Sequence, residues 1–229
     1  MTRELRAAGM DCSENRLARI MPLNDWRARP RRPFRPKTTQ PDHAACPSPN
    51  LLSQAGPASV PDAQLASDIT DIPPSEGWLY LAIVIDLFSR AILGWQLSDT
   101  LHADLVVDAL TGAIDSGLVP RGAIFHSDRG CQYSAAITRE WLARHGLPQS
   151  MSAKGYCYDN AFSESTFASI KSEVLSDGLP FDSKRAATAA LFDDLETFYN
   201  RRRLHSSLAY RSPNVFLKTY FQNQNPHLN

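Results

Sequence analysis

The sequence predicts an α/β fold: a mixed five-stranded sheet with helices on its faces, preceded by a basic N-terminal arm. Three observations lead there. Apolar runs of strand length crowd residues 65–97, with short connections between them. From residue 102 onward, segments with helical spacing alternate with short apolar segments. Residues 1–40 hold ten Lys or Arg against four acids, although the whole chain has no net charge. With 229 residues and 43% hydrophobic content, the chain can bury one catalytic-sized core beside a small appendage.

Each element has its own reason. Residues 4–8 and 13–21 read as two helices around a turn at Gly9, with Ser13 as N-cap and Leu17, Ile20 and Met21 as a short apolar stripe. This is the pattern of the end of a helix-turn-helix unit whose first helix is truncated by Met1. Residues 27–37 alternate arginine with proline and are expected to form an extended basic linker. Residues 38–63 are rich in Pro, Ser, Ala and Gln and are expected to be irregular.

The core opens with a strand at 65–72, a turn at 73–77 and an almost wholly apolar strand at 78–85 suited to burial on both faces. A third strand at 91–97 completes an antiparallel meander. In 102–116, Leu105, Val106, Ala109, Leu110 and Ala113 share one helical face, and Gly117 stops the helix. A fourth strand at 122–126, a helix at 134–145 closed by Gly146, and a fifth strand at 148–151 follow. Beyond a glycine-containing loop at 152–158 come helices at 159–175, with Asp159 as N-cap, at 184–200, carrying Leu191, Leu195 and Phe198, and at 214–221. The expected divisions are 1–37 for the truncated helical segment and basic arm, 38–63 for a linker, 64–180 for the catalytic core and 181–229 for a helical extension. Three hairpin strands followed by helix, strand, helix, strand, helix is the order of the ribonuclease H-like fold.

Composition excludes several classes. No apolar run reaches the length of a membrane span, and the charged N-terminus lacks a signal peptide's apolar segment, so a cytosolic location is expected. Cys12, Cys46, Cys131 and Cys157 form no Cys-x-x-Cys pair, which suits a reducing compartment. His43 and Cys46 have a ligand-like spacing but no second pair, so a chance match outweighs a zinc site. The basic arm suits a polyanion partner; on charge alone a solvated linker fits equally well.

The chemistry centres on three acids. Asp68 lies in the first strand, Asp128 just past the fourth, and Glu164 on a helix; thirty-five residues separate Asp128 from Glu164. Two acids at the ends of neighbouring strands and a third on a helix can converge on divalent metal. Magnesium prefers oxygen donors, and two ions about 4 Å apart can clamp both oxygens of a phosphoryl transfer. Singly, each acid also fits a local role: Asp68 as a cap, Asp128 in a Ser-Asp-Arg-Gly turn, Glu164 near a helix N-terminus. Asp86, at the end of the central strand, reads as a turn or supporting group. His126 fits a supporting or a structural role. Lys171, seven residues after Glu164, shares its helix face and could reach DNA, or could be a plain surface lysine. Lys154 and Tyr156 on the loop could touch DNA ends. Arg201, Arg202, Arg203 and His205 form a basic cluster suited to phosphate or to packing against core acids.

The motifs carry a resemblance. Asp68-Ile69-Thr70, Gly77-Trp78-Leu79-Tyr80-Leu81-Ala82, Asp86-Leu87-Phe88-Ser89-Arg90 and His126-Ser127-Asp128-Arg129-Gly130-Cys131-Gln132-Tyr133 come in that order. Tyr158-Asp159-Asn160-Ala161, Glu164, Lys171 and Tyr199-Asn200-Arg201-Arg202-Arg203-Leu204-His205-Ser206-Ser207-Leu208 follow. From Leu65 to about Phe216 the chain resembles the integrase catalytic core of insertion-sequence transposases, of the second reading frame product type related to retroviral integrases. The resemblance implies a DDE-type polynucleotidyl transferase with Asp68, Asp128 and Glu164 holding Mg2+ or Mn2+, two ions in all. It also implies DNA as partner, both element ends and target, assembly of several copies on DNA, and a separate helix-turn-helix product as a further partner. Asp71 stands where the family usually has an aromatic residue, and Leu65 near where it has a tryptophan. Two alternatives remain at this point: a DNA-binding remnant without catalysis, and a nuclease of the same fold without strand transfer.

Overall fold

The computed structural model describes residues 1–26, 47–153, 161–175 and 181–224, with the backbone alone for 161–164. The chain divides into two compact units, Met1–Phe34 and Arg35–Asn229. In the first, α1 (Thr2–Ala7) and α2 (Glu14–Leu23) flank a turn in which Gly9 takes φ 82°. Ser13 caps α2 as expected, its side chain accepting from the Arg16 N–H at 3.2 Å. Neither helix buries a residue, so the pair has no core of its own. The arm at 27–37 lies outside the described residues.

In the second unit, residues 47–63 hold one short helix, α3 (Leu52–Ala55), amid turned and extended backbone. The sheet follows. β1 (Gln64–Ile72), β2 (Leu79–Asp86) and β3 (Ile92–Ser98) form the antiparallel meander. β4 (Ile124–Ser127) and β5 (Gln149–Met151) add parallel strands, giving the order β3-β2-β1-β4-β5. The apolar run of β2 has a simple cause. Leu79, Leu81, Ile83 and Ile85 enter the core on one face, Ala82 and Val84 the core on the other. Each fully buried Leu or Ile contributes roughly 1.5–3 kcal/mol, so this strand anchors both layers. Trp78, expected inside the strand, precedes it and is 54% exposed.

One face of the sheet is covered by α4 (Asp104–Asp115) and α6 (Ala136–His145). The five residues expected on the inner face of α4 are the five it buries. The helix lies so close to β3 that a Cβ at Gly94 would stand 2.2 Å from the Ala109 carbonyl oxygen. The opposite face is covered by α7 (Ala161–Val174) and α8 (Lys184–Asp193). α9 (Pro213–Gln224) starts on proline, as helices often do, and sets Phe216 and Tyr220 against Phe88 in the β2–β3 turn. Among the described residues, no helix is long and apolar enough to cross a membrane.

Two helices differ from expectation. The helix expected at 134–145 is two: α5 (Cys131–Ser134) and α6, parted by Ala135 in extended conformation. The Thr138 hydroxyl donates to the Gln132 carbonyl across the joint at 2.7 Å, so the break is held by a side chain that helical periodicity does not register. The helix expected at 184–200 widens to a π-helical stretch over Asp194–Tyr199. A wider turn moves the buried position on by one residue. Tyr199 is therefore fully buried, while Phe198 is only half-buried.

Candidate active site

β1 lies between β2 and β4, which places its acids at the centre of the sheet. The last paired residues of β1 and β4 are Ala66 and His126. Asp68 and Asp128 are each two residues further on, at matching positions of neighbouring parallel chains. The two side chains line one hollow, with Thr70, Asp71, Tyr80 and Tyr133 among its other walls. β4 ends at Ser127, and this exposes the edge of β1 beyond that point.

Each carboxylate is held locally. Asp68 Oδ1 accepts from the Ile69 N–H at 2.8 Å. Asp128 Oδ1 accepts from the Gly130 N–H at 2.8 Å. Burial pushes the Asp128 carboxyl up from the usual carboxylate range, and the Gly130 N–H opposes this in part. Tyr133 stands behind the pair, fully buried, its hydroxyl 3.1 Å from Ser67 Oγ. Burial first, then the charges of Asp68 and Asp128, hold its phenol well above the ordinary value, so it stays protonated. Two half-buried carboxylates facing one hollow form a hard-oxygen donor set. A cation in the hollow would offset the like charges of such a set, so the residues fit a divalent metal. Among the described residues, no three His, Cys, Asp or Glu gather around one point.

Glu164 lies in the first turn of α7, and its side chain is outside the description. The helix itself is well fixed. Phe167 and Ile170 enter the core with Ile72 of β1. Lys171 Nζ lies 3.5 Å from Asp71 Oδ1, with 17% and 18% of the side chains exposed. The chain beyond α7 returns at Phe181 to pair with Pro74, just past the end of β1. From Lys171 back to position 164 is about 10 Å along a helix. From Asp71 back to Asp68 is about 10 Å along a strand.

The other residues singled out in the sequence fall as follows. Asp86 is fully buried and consumed by its turn: Oδ1 accepts from the N–H groups of Asp62 and Phe88, Oδ2 from the N–H and hydroxyl of Ser89. His126 is also fully buried, between Ser150 and Ser152. Arg201 and Arg202 are exposed. Arg203 is paired with Glu173 and lies 5.8 Å from the Tyr199 ring centre. His205 stacks edge-on against Tyr199. Burial, then Arg203 and Arg90, lower its pKa to about 4, so it adds no positive charge at neutral pH. Lys154, Tyr156 and Asp159 lie outside the described residues.

Two residues of the site went unassigned from sequence. Tyr133 was visible as the last residue of the Asp128 motif, but only the fold turns it back onto Ser67. Asp71 was noted as unusual; its partner, Lys171, is one hundred residues away in sequence.

Comparison with known proteins agrees with this architecture. Two integrase core domain families match, over residues 58–157 and 145–213. The chain is 44% identical over 216 residues to the transposase InsF for insertion sequence IS3A of Escherichia coli, a match covering 94% of this chain and 74% of the relative. It is 36% identical over 218 residues to the transposase for insertion sequence element IS904 of Lactococcus lactis, covering 95% and 85%. Among solved structures, the HTLV-2 integrase catalytic core domain in complex with magnesium superposes with TM-score 0.51 at 17% identity, covering 69% of this chain and 97% of that one. The catalytic core domain of BIV integrase superposes with TM-score 0.51 at 14% identity, covering 71% and 99%. The fold is thus the ribonuclease H-like fold of integrase catalytic cores, and the chain belongs to the insertion-sequence transposases that carry an integrase core domain.

Proposed function

We propose that this transposase hydrolyses a phosphodiester at the end of its element and joins the freed 3′-hydroxyl directly to target DNA, with divalent metal held by Asp68, Asp128 and Glu164. The observation that supports this most is the shared hollow of Asp68 and Asp128, at matching positions of adjacent parallel strands. The packing of α7 on β1 and the pairing of Lys171 with Asp71 support Glu164 as the third ligand, since its backbone lies about as far along the helix from Lys171 as Asp68 lies along the strand from Asp71. The family relationship and the magnesium named with the HTLV-2 domain agree with this choice. Mg2+ or Mn2+, two ions in all, would lower the pKa of the attacking oxygen and offset charge on the leaving oxygen.

The protein's own part is positional. Asp68 and Asp128 fix the oxygen donors on a sheet that cannot yield, and Glu164 closes the set from a helix packed on that sheet. Arg201 and Arg202, exposed beyond the π-helical stretch, meet phosphate. Lys154 and Tyr156 act on the DNA ends from the loop. Lys171 and Arg203 are already held by Asp71 and Glu173, so each must exchange a carboxylate for a phosphate to contribute. Reaction proceeds without a covalent enzyme intermediate. Several copies assemble on DNA, and a separate helix-turn-helix product is a further partner.

Incubation of the full chain with magnesium or manganese and a labelled element-end duplex tests the reading. Glu164→Gln should abolish nicking and joining while leaving the thermal melt and DNA affinity close to the parent, because glutamine keeps helix propensity and removes only charge. Asp108→Asn, at an exposed acid of α4, is the control and should retain substantial activity, whereas Asp86→Asn should lower the thermal melt, because an amide nitrogen cannot accept the two bonds that Asp86 Oδ2 receives from Ser89. Joining by Glu164→Gln at the parental rate would remove the three-carboxylate assignment. Nicking without joining would mark a nuclease; binding without either would mark a DNA-binding remnant.

A further inference from the structure

His126 lies two residues before Asp128, one pleat behind it on β4, and is wholly buried. Its ring spans two hydroxyls. Nδ1 is 2.8 Å from Ser150 Oγ and Nε2 is 3.1 Å from Ser152 Oγ. Ser150 Oγ also accepts the backbone N–H groups of Leu51, at 2.9 Å, and Leu52, at 3.2 Å. A hydroxyl has two acceptor lone pairs and one proton. With both lone pairs turned to amides, the Ser150 proton goes to Nδ1. Nδ1 therefore accepts, and the ring proton sits on Nε2, where it is donated to Ser152 Oγ. The Ser152 hydroxyl has the Ser127 carbonyl oxygen at 3.4 Å to donate to. The direction of the whole chain of bonds is set at its start, by two backbone amides of the segment entering the core.

The far end of that chain grips Asp128 from both sides. The Ser152 N–H donates to the Ser127 carbonyl at 3.0 Å. Arg129 Nε donates to the Ser152 carbonyl at 2.8 Å. Residues 127 and 129 are thus both bonded to Ser152, which His126 holds. The entry segment has further ties to β5: Ser48 Oγ donates to Gln149 Oε1 at 2.8 Å, and Met151 donates its N–H to the Pro49 carbonyl at 3.3 Å. It therefore stays seated if Ser150 alone is altered.

We propose that His126 is a positioning residue that couples the docking of residues 48–52 to the placement of Asp128, through Ser150 on one side and Ser152 on the other. The inference rests on Asp128 being a metal ligand. A metal site loses affinity when the groups that orient its ligands are removed, by about 10- to 100-fold in well-studied cases. Loss of the imidazole frees Ser152, and with it the two neighbours of Asp128, without touching any residue that meets DNA.

The test measures manganese binding to the full chain by electron paramagnetic resonance, beside magnesium-dependent cleavage of the end duplex on the same preparations. His126→Ala and Ser150→Ala should each weaken manganese binding and lower kcat, the former by about tenfold or more, with KM for DNA unchanged. The double variant should be no worse than His126→Ala, because both act on one chain of bonds. His126→Gln, whose amide can donate near the place of Nε2, should recover part of the loss. Parental manganese affinity in His126→Ala, or losses that multiply in the double variant, would overturn the inference while leaving the carboxylate assignment standing. A parent chain that binds no manganese would overturn that assignment and the inference together. If His126→Ala does not fold, Ser150→Ala decides: weakened binding supports the coupling and parental binding overturns it.

Discussion

Asp62 holds its carboxyl in an unfavourable place. It is 8% exposed, its Oδ1 is buried without a hydrogen-bond partner, and it sits beside the charge of Asp86. Burial, then Asp86, raise its pKa to about 6 from an unfolded value near 3.8. The folded state therefore holds this proton more tightly than the unfolded one. The associated stability is present below about pH 4 and is lost as the pH rises through 6. Asp62→Asn should accordingly match the parent at pH 4 and exceed it at pH 7.5 by up to about 3 kcal/mol. Denaturant titrations at the two pH values check this; an advantage that does not grow with pH would reject the assignment. Asp71 is the second telling residue. Asp71→Asn removes the charge of a partly buried pair with Lys171, which should cost about 1–2 kcal/mol, between the values for exposed and buried pairs. With one negative charge fewer beside the hollow, DNA binding should tighten, as measured by fluorescence anisotropy.

At the scale of elements, the contact of α4 with β3 is the tightest feature of the first core. Gly94 permits backbone to lie against backbone, since any Cβ there meets the Ala109 carbonyl and the Ala113 amide. Gly94→Ala must push the helix away, and overpacking of this kind costs about 1–3 kcal/mol. A thermal melt should show it, and an unchanged melting temperature would mean that α4 shifts freely. α7 has a different role, because its buried residues and its ion pair bind it to β1 at the end of the strand that carries Asp68. Its heptad spacing of Glu164 and Lys171 was legible in sequence. That one of the two faces Asp71 was not, since nothing local relates residues one hundred positions apart.

For the molecule as a whole, charge is divided along the chain. The first forty residues carry an excess of six positive charges and the rest an equal negative excess. Phosphate neutralisation releases counterions, so a cationic arm on DNA gives binding a steep salt dependence. Deletion of residues 1–40 should weaken DNA binding and flatten the slope of affinity against salt; an unchanged slope would reject the arm as a DNA contact.

By itself the sequence determined the class of fold, the order of its elements and the inner face of α4. Those follow from periodicity, which depends on neighbours three, four or two residues away. It also offered Asp68, Asp128 and Glu164 as candidates, through residue type, the Asp128–Glu164 spacing and the family resemblance. What only the tertiary structure decided lies where distant segments meet. The matching of Asp68 with Asp128 depends on the register of β1 against β4. The pairing of Lys171 with Asp71 and of Arg203 with Glu173 takes cations that composition alone would offer to DNA. His126 meets Ser150, whose hydroxyl also takes the amides of Leu51 and Leu52, far earlier in the chain. Hydrogen bonds and ion pairs act over a few ångströms of space whatever the separation in sequence, so no local pattern announces them.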